Sequence, residues 1–147
     1  MSELWKFSAN DLASMIASKQ VSSREVVDAH LARIEEVNPS LNAVVRVLAD
    51  EARSSADAAD RVVRDGDRLG PLHGVPCTVK ENIDVAGTPT TSGLTMFAEA
   101  FATSDSPAVE RMRAAGAIPI GRTNLPDLGL RIHTDSTLHG QIGRAHV

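Results

Sequence analysis

The chain has 147 residues, of which 42% are apolar and 23% charged, enough for one globular domain with an apolar core. Its formal net charge is −4, and its fifteen lysines and arginines are interspersed with acidic residues, so we expect no nucleic-acid partner. One cysteine cannot form an internal disulfide, and no apolar stretch is long enough to span a membrane. The N-terminal sequence lacks the basic and apolar segments of a secretory signal. These features predict a cytoplasmic protein without a membrane partner.

Two helix starts are recognisable in the first quarter of the sequence. Ser8 is followed three residues later by Asp11, and Ser22 by Glu25. This is the spacing of a capping box, in which the serine and the acidic residue each bind a backbone N–H of the first turn. We therefore expect a short helix after Ser8 and a longer one after Ser22.

The ends of these helices are also predicted. The apolar residues after Ser22 keep helical spacing until Asn38 and Pro39, where we expect the helix to end because proline disfavours helix in its predecessor. The segment LNAVVRVL is either a short strand or the start of a third helix, which Gly66 should end.

The second half of the sequence predicts a strand, a loop, a helix and a second strand. The segment VPCTVK is a strand that ends at Lys80, and Ser106 with Pro107 has the form of a helix start. Gly116 should end that helix, and AIPIGRTN forms the second strand. This order favours an α/β fold with a parallel or mixed sheet.

The strand VPCTVK ends in a lysine, although sheet interiors rarely accept an ammonium group. Lys80 is either the solvated end of a strand or a functional residue, because open α/β sheets place ligands and catalytic groups at the carboxyl ends of strands. A desolvated lysine can lose its proton and act as a base toward a serine hydroxyl.

Other chemically active side chains give weaker signals. Glu81 and Asp84 fit turn-forming or solvated carboxylates, and Cys77 fits an unreactive thiol on the apolar side of its strand. The five histidines have no zinc-site spacing, and no phosphate-binding glycine motif is present. We expect no metal and no cofactor.

The segment GPLHGVPCTVKENIDVAGTPTTSG resembles the amidase signature family of serine hydrolases. The motifs GVP.TVK, TT.G and AGA..IG.TN follow one another in the order typical of that family, and the resemblance extends over about residues 7–140. It implies the N-terminal portion of an α/β/α fold with a mixed sheet. It also implies hydrolysis of carboxylic amides through an acyl-serine, by a Lys, Ser, Ser triad.

The resemblance assigns residues to the site. Lys80 matches the catalytic lysine of the family, which takes the proton of the nucleophilic serine through an intermediate serine. Thr90, Thr91, Gly93 and Asn124 match positions that we expect to shape the site. Both serines and the oxyanion donors belong to a Gly/Ser-rich loop of the form GGSSGG, which this sequence does not contain.

The last residues depart from the family pattern. The six residues from Ile142 correspond to the translation of a common short-read sequencing adapter. We therefore expect residues 1–140 to be the N-terminal part of a single amidase domain, truncated before the catalytic loop, and residues 141–147 to be a non-native tail. Such a fragment should be inactive by itself.

Two alternatives remain open at this point. The chain can be part of the A subunit of a glutamine-dependent aminoacyl-tRNA amidotransferase, which shares the fold and the triad, or a short non-catalytic binding module. The expected partner is a small-molecule amide, and the full-length form can be a homo-oligomer.

Overall fold

The computed structural model describes residues 3–143, and it has the predicted α/β composition. The helices and strands are, in chain order, α1 (Ala9–Ala17), α2 (Ser23–Leu41), β1 (Val44–Val47), α3 (Ala49–Asp65), β2 (Pro76–Lys80), α4 (Pro107–Ala114), β3 (Ile118–Thr123), β4 (Asp135–Ser136) and β5 (Gly140–Gln141). Single turns of 3₁₀ helix occur at Leu4–Lys6, Thr95–Phe97 and Asp127–Gly129. Within residues 3–143, no helix is both long and apolar enough to cross a membrane.

The main sheet has three strands in the order β1-β3-β2. Strand β1 runs antiparallel to β3, with Val47 opposite Gly121. Strands β2 and β3 run in the same direction. Residues at their starts are paired, since the Ile118 N–H donates to the Val75 carbonyl, and so are residues at their ends, since the Glu81 N–H donates to the Thr123 carbonyl. The sheet is therefore mixed, as the sequence predicts, and β2, α4 and β3 form the predicted strand, helix and strand.

The predicted capping box at Ser22 is complete, and the one at Ser8 forms only in part, because the Asp11 carboxylate accepts the Ser8 hydroxyl at 2.7 Å in place of the Ser8 backbone N–H. At the start of α1 the Ser8 hydroxyl accepts the Asp11 N–H at 3.2 Å. At the start of α2 the Ser22 hydroxyl accepts the Glu25 N–H at 3.0 Å, and the Glu25 carboxylate accepts the Ser22 N–H at 2.8 Å. The backbone and side-chain hydrogen bonds from Ser22 lower the pKa of the Glu25 carboxyl, because they favour its charged form.

The predicted end of α2 at Asn38 and Pro39 is wrong, since the helix continues to Leu41 with Pro39 inside it. Pro39 lies in the last turn, where its missing N–H removes a single helical hydrogen bond. The helix ends where Asn42 adopts a left-handed conformation with φ of 54°. The side chain of Asn38 then holds the departing chain, because its carbonyl oxygen accepts the N–H groups of Ala43 and Val44 at 2.9 and 2.8 Å.

The remaining boundaries agree with the sequence. LNAVVRVL contains the short strand β1, and α3 ends at Gly66, which has φ of 79° in the left-handed region that glycine tolerates. Helix α4 begins at Pro107, and the Ser106 hydroxyl accepts the Val109 N–H at 3.4 Å.

The residues divide into two compact units. The first comprises the residues up to Glu35 with Leu48–Cys77 and Arg111–Ile120, and the second comprises Glu36–Val47, Thr78–Glu110 and the residues from Gly121 onward. Each unit has a buried apolar core. The first contains one cluster of Val27, Leu31, Ala52, Ala56, Ile118 and Ile120, and another of Leu4, Leu12, Ile16, Val26 and Val75. The cluster of the second unit is Val79, Val85 and Val109.

The C-terminal residues of the described range belong to the second unit. Strands β4 and β5 form an antiparallel pair in which Asp135 lies opposite Gln141. The Gly143 N–H donates to the Leu41 carbonyl at 2.7 Å. Residues 144–147 of the predicted non-native tail lie outside the described residues.

Candidate functional site

Lys80 is the last residue of β2, as the sequence predicts. The side chain of Val79 is buried in the apolar cluster of the second unit, and that of Lys80 is exposed, because successive residues of a strand point to opposite faces. The Lys80 carbonyl accepts the Ile83 N–H at 3.0 Å and Nη2 of Arg122 at 3.3 Å. The strand end is thus held by its backbone, and the ammonium group extends from it.

Glu81 follows directly and is 1% exposed. Its Oε2 accepts hydrogen bonds from the Thr91 hydroxyl and from Nε2 of His139, the latter at 2.9 Å. Of the two expected alternatives for Glu81, it lies in the turn after β2, and the solvated carboxylate is wrong, because the Thr91 hydroxyl and His139 replace its water. Asp84 is exposed, as a solvated carboxylate is expected to be, and its carboxylate accepts the Thr90 hydroxyl at 2.6 Å.

The structure brings together a hydroxyl, a carboxylate and an imidazole, the residue types of a hydrolytic triad, in Thr91, Glu81 and His139. Their hydrogen bonds, however, do not connect them in the order of such a triad. In such a triad the histidine accepts the proton of the hydroxyl, and the carboxylate binds the other ring nitrogen. Here the hydroxyl and the ring nitrogen both donate to the same carboxylate oxygen. Thr91 is also only 2% exposed. The three residues therefore form a structural network beside Lys80.

Asn124 connects three segments of the second unit and is 4% exposed. Its side-chain N–H groups donate to the carbonyls of Asn42 and Gly140, both at 3.2 Å. Its side-chain oxygen accepts the Leu125 N–H at 2.9 Å and the Ser136 hydroxyl at 3.4 Å. These contacts fix the backbone of the three segments relative to one another, and the shaping of the site by Asn124 stays a prediction.

Gly93 occupies a position that a larger residue does not fit. Its φ is +77°, and a Cβ added there would lie 3.0 Å from Cβ of Ser136 and 3.1 Å from the Leu125 carbonyl oxygen. Its N–H donates to the Thr91 hydroxyl at 3.1 Å, and its carbonyl accepts the Leu138 N–H at 3.1 Å. Gly93 thus links the Thr91 and Glu81 pair to the turn before β5.

Arg122 is a site residue that the sequence analysis missed. It is the largest fully buried side chain among the described residues, with 0% exposure. Burial lowers the pKa of its guanidinium, which the negative charges of Glu81 and Asp84 oppose. The available signal was the same as for Lys80, a charged residue within an otherwise buried strand.

The remaining candidate residues are structural. Burial raises the pKa of the Cys77 thiol to about 11, although the charge of Arg113 lowers it, which agrees with an unreactive core thiol. His30 and His73 contact backbone carbonyls of Val26 and Ala59 at 2.8 and 3.0 Å. Residues 3–143 contain no group of three or more His, Cys, Asp or Glu side chains that could hold a metal ion.

Known proteins resemble this chain over most of its length. The family model described as amidase matches residues 25–143. An indoleacetamide hydrolase of Bradyrhizobium diazoefficiens is 47% identical over 137 residues, which cover 93% of this chain and 26% of that protein. The A subunit of a glutamyl-tRNA(Gln) amidotransferase from Acidothermus cellulolyticus is 38% identical over 140 residues, which cover 95% of this chain and 28% of that protein.

A solved structure gives the same result. A bacterial aryl acylamidase of the amidase signature family superposes with a TM-score of 0.88 at 36% identity, over 92% of this chain and 29% of that one. The chain thus spans little more than a quarter of the length of these relatives. The match of the family model over residues 25–143, together with these similarities, shows that the chain belongs to the amidase family.

Proposed function

We propose that this chain carries the catalytic lysine of an amidase, and that the complete domain hydrolyses a carboxylic amide through an acyl-serine intermediate. The observation that carries the proposal is the placement of Lys80. Its exposed side chain stands at the carboxyl end of β2, beside the buried network of Glu81, Thr91 and His139. Such a lysine can act as a base if nearby groups fix its position.

The proposed reaction has two steps, in which Lys80 handles the proton. First, the hydroxyl of the nucleophilic serine adds to the amide carbonyl, and its proton passes through the second serine to Lys80. The C–N bond then breaks, and the nitrogen takes this proton back from Lys80 through the second serine and leaves as ammonia or an amine. In the second step, water hydrolyses the acyl-serine ester to a carboxylate and restores the serine.

The two serines and the oxyanion donors are assigned to the Gly/Ser-rich loop of the family. No sequence of the form GGSSGG occurs in the 147 residues, so we expect no amide hydrolysis by this chain alone. The substrate is a small-molecule amide, and the proposal includes no cofactor. We include a reducing, cytoplasmic location in the proposal, because a single cysteine forms no internal disulfide.

The test compares the 147-residue chain with a version extended through the Gly/Ser-rich loop to the end of the amidase domain. Both are assayed for release of ammonia or amine from indole-3-acetamide, an acyl anilide and glutamine. We expect activity only in the extended form, and a loss of about 10⁴-fold or more in Lys80→Met. Lys19→Met, which removes an exposed lysine of the first unit, is the matched control and should keep full activity.

Two results would contradict the proposal. One is amide hydrolysis by the 147-residue chain, and the other is equal activity of the extended Lys80→Met and Lys19→Met variants. An inert extended form together with a short chain that melts cooperatively as a monomer would instead favour the non-catalytic binding module.

The A subunit of an aminoacyl-tRNA amidotransferase is the second candidate, because a protein of that kind is 38% identical to this chain. The 47% identity to an indoleacetamide hydrolase favours a stand-alone hydrolase. Copurification of the extended form with partner subunits, and ammonia release from glutamine alone, would identify the amidotransferase.

A further inference from the structure

The buried arginine of β3 is unusual in where its hydrogen bonds go. An enclosed guanidinium normally has a carboxylate partner, because desolvation of the charge is costly. Arg122 instead donates to three backbone carbonyls and one hydroxyl, all between residues 80 and 89. The cation therefore binds one segment of chain rather than one opposite charge.

The two terminal nitrogens of the guanidinium bind different parts of the loop after β2. Nη2 donates to the carbonyls of Lys80 at 3.3 Å and Ile83 at 2.7 Å. Nη1 donates to the Thr88 hydroxyl and to the Pro89 carbonyl, the latter at 3.4 Å. A lysine in the same place has one nitrogen on a flexible stem and cannot reach all four acceptors from a fixed plane.

The charges around Arg122 support a role in holding this segment. Glu81, 1% exposed, and Asp84 are the negative charges that act on it, and both lie in the bound segment. The exposed Arg46 lies opposite Arg122 in β1, and its positive charge lowers the pKa of Arg122, whereas the two carboxylates raise it. Loss of the guanidinium would therefore take this donor from the Ile83 and Pro89 carbonyl oxygens, leave the Lys80 carbonyl with the Ile83 N–H alone, and remove the positive charge near Glu81.

We propose that Arg122 is a positioning residue, which fixes the Lys80 carbonyl and the segment 80–89 and thereby holds the Lys80 side chain in place for proton transfer. The link to proton transfer rests on the proposed function of Lys80. The fixation of the segment 80–89 by Arg122 does not rest on that function. The fixation and the link to proton transfer can therefore be tested separately.

The first test is amide hydrogen exchange on the 147-residue chain. Arg122→Met removes the four hydrogen bonds with little change of volume, Arg122→Lys keeps the charge and part of the bonding, and Arg46→Met is the matched control on the neighbouring strand. We expect exchange in residues 82–90 to become about tenfold faster in Arg122→Met. The effect should be smaller in Arg122→Lys and absent in Arg46→Met, with α2 and α3 unchanged in all three.

Unchanged exchange in residues 82–90, or an equal acceleration along the whole chain, would overturn the inference. If Arg122→Met does not fold, Arg122→Lys decides by the same criterion.

The second test measures kinetics in the extended form. A lysine displaced by about 1 Å loses about 10²-fold in rate, so kcat of Arg122→Met should fall by about that factor while KM changes less than about threefold. Arg122→Lys should recover part of kcat, and Arg46→Met should match the wild type. If Arg122 served stability alone, Arg122→Met would lower the amount of folded enzyme. The kcat of each folded molecule would then be unchanged, and Arg122→Lys would have no kcat to recover.

The outcomes separate the two proposals. If the extended form loses activity in Lys80→Met but not in Arg122→Met, the positioning role is wrong and the proposed function stands. If the extended wild type is inert, the proposed function fails, and the exchange measurement alone decides whether Arg122 fixes the segment.

Discussion

A methyl group added at Gly93 tests the packing of the loop beside Lys80. Gly93 has φ of +77°, and a Cβ there would lie 3.0 Å from Cβ of Ser136 and 3.1 Å from the Leu125 carbonyl oxygen. Gly87 in the same loop is a matched control, because its φ is +76° and nothing lies within 4 Å of its added Cβ. Both substitutions with alanine impose the same backbone conformation, and one of them also imposes a close contact.

The expected magnitude follows from this difference. A left-handed conformation costs an L-residue about 1–2 kcal/mol, and the entropic benefit of replacing glycine in the unfolded chain is common to both variants. Crowding against packed atoms costs about a further 1–3 kcal/mol at Gly93. The free energy of unfolding should therefore be lower in Gly93→Ala than in Gly87→Ala by about 1–3 kcal/mol.

Urea unfolding of the two variants and the wild-type chain, followed by circular dichroism, measures this difference directly. The three curves should share one slope, because the surface exposed on unfolding is unchanged. Equal midpoints for the two variants would show that the loop yields to the added methyl group, and that Gly93 is needed for its conformation alone.

Two further predictions concern the half-buried Cys77 and the buried Glu81. Because burial raises the pKa of Cys77 to about 11 from an ordinary 9.0, native alkylation by iodoacetamide at pH 8 should be much slower than that of the urea-unfolded chain. The unfolded thiol also ionises first, so the contribution of Cys77 to stability should be constant below about pH 9 and be lost between about pH 9 and 11; equal alkylation rates would contradict both statements. His139→Ala removes a donor from the buried carboxylate of Glu81 and should lower the free energy of unfolding by about 1–3 kcal/mol, whereas alanine at the exposed His133 should change it by less than about 0.5 kcal/mol. Equal unfolding midpoints in these two variants would show that the bond to Glu81 contributes no net stability.

Local elements could be predicted because their signals act over a few residues. A capping box needs only a serine and an acidic residue three positions apart; the one at Ser22 formed completely, and at Ser8 the serine hydroxyl accepts the Asp11 N–H as expected. Gly66 ended α3 because a left-handed residue is needed after the last turn. Pro39 misled the prediction of α2, because proline in a last turn costs one hydrogen bond and Asn38 compensates through its side chain.

The position of Lys80 was predictable, whereas its surroundings were not. Alternation along β2 places Val79 inside and Lys80 outside, and the motifs around them identify the amidase family. The sequence offers no sign that Glu81 is enclosed, because its partner His139 lies 58 residues away. For Arg122 the strand β3 gave a signal that the residue is buried, but not its acceptors, which lie 33 to 42 residues earlier in the chain.

The sequence by itself thus determined the starts of the helices, the strands β2 and β3, the family and the candidate lysine. Each of these depends on residue types and spacings within a short window, or on motifs in a fixed order. Only the tertiary structure decided which charged residues are buried and what they bind. A charge leaves water only where donors or acceptors from several distant segments converge on it, and that convergence is set by the packing of the whole unit.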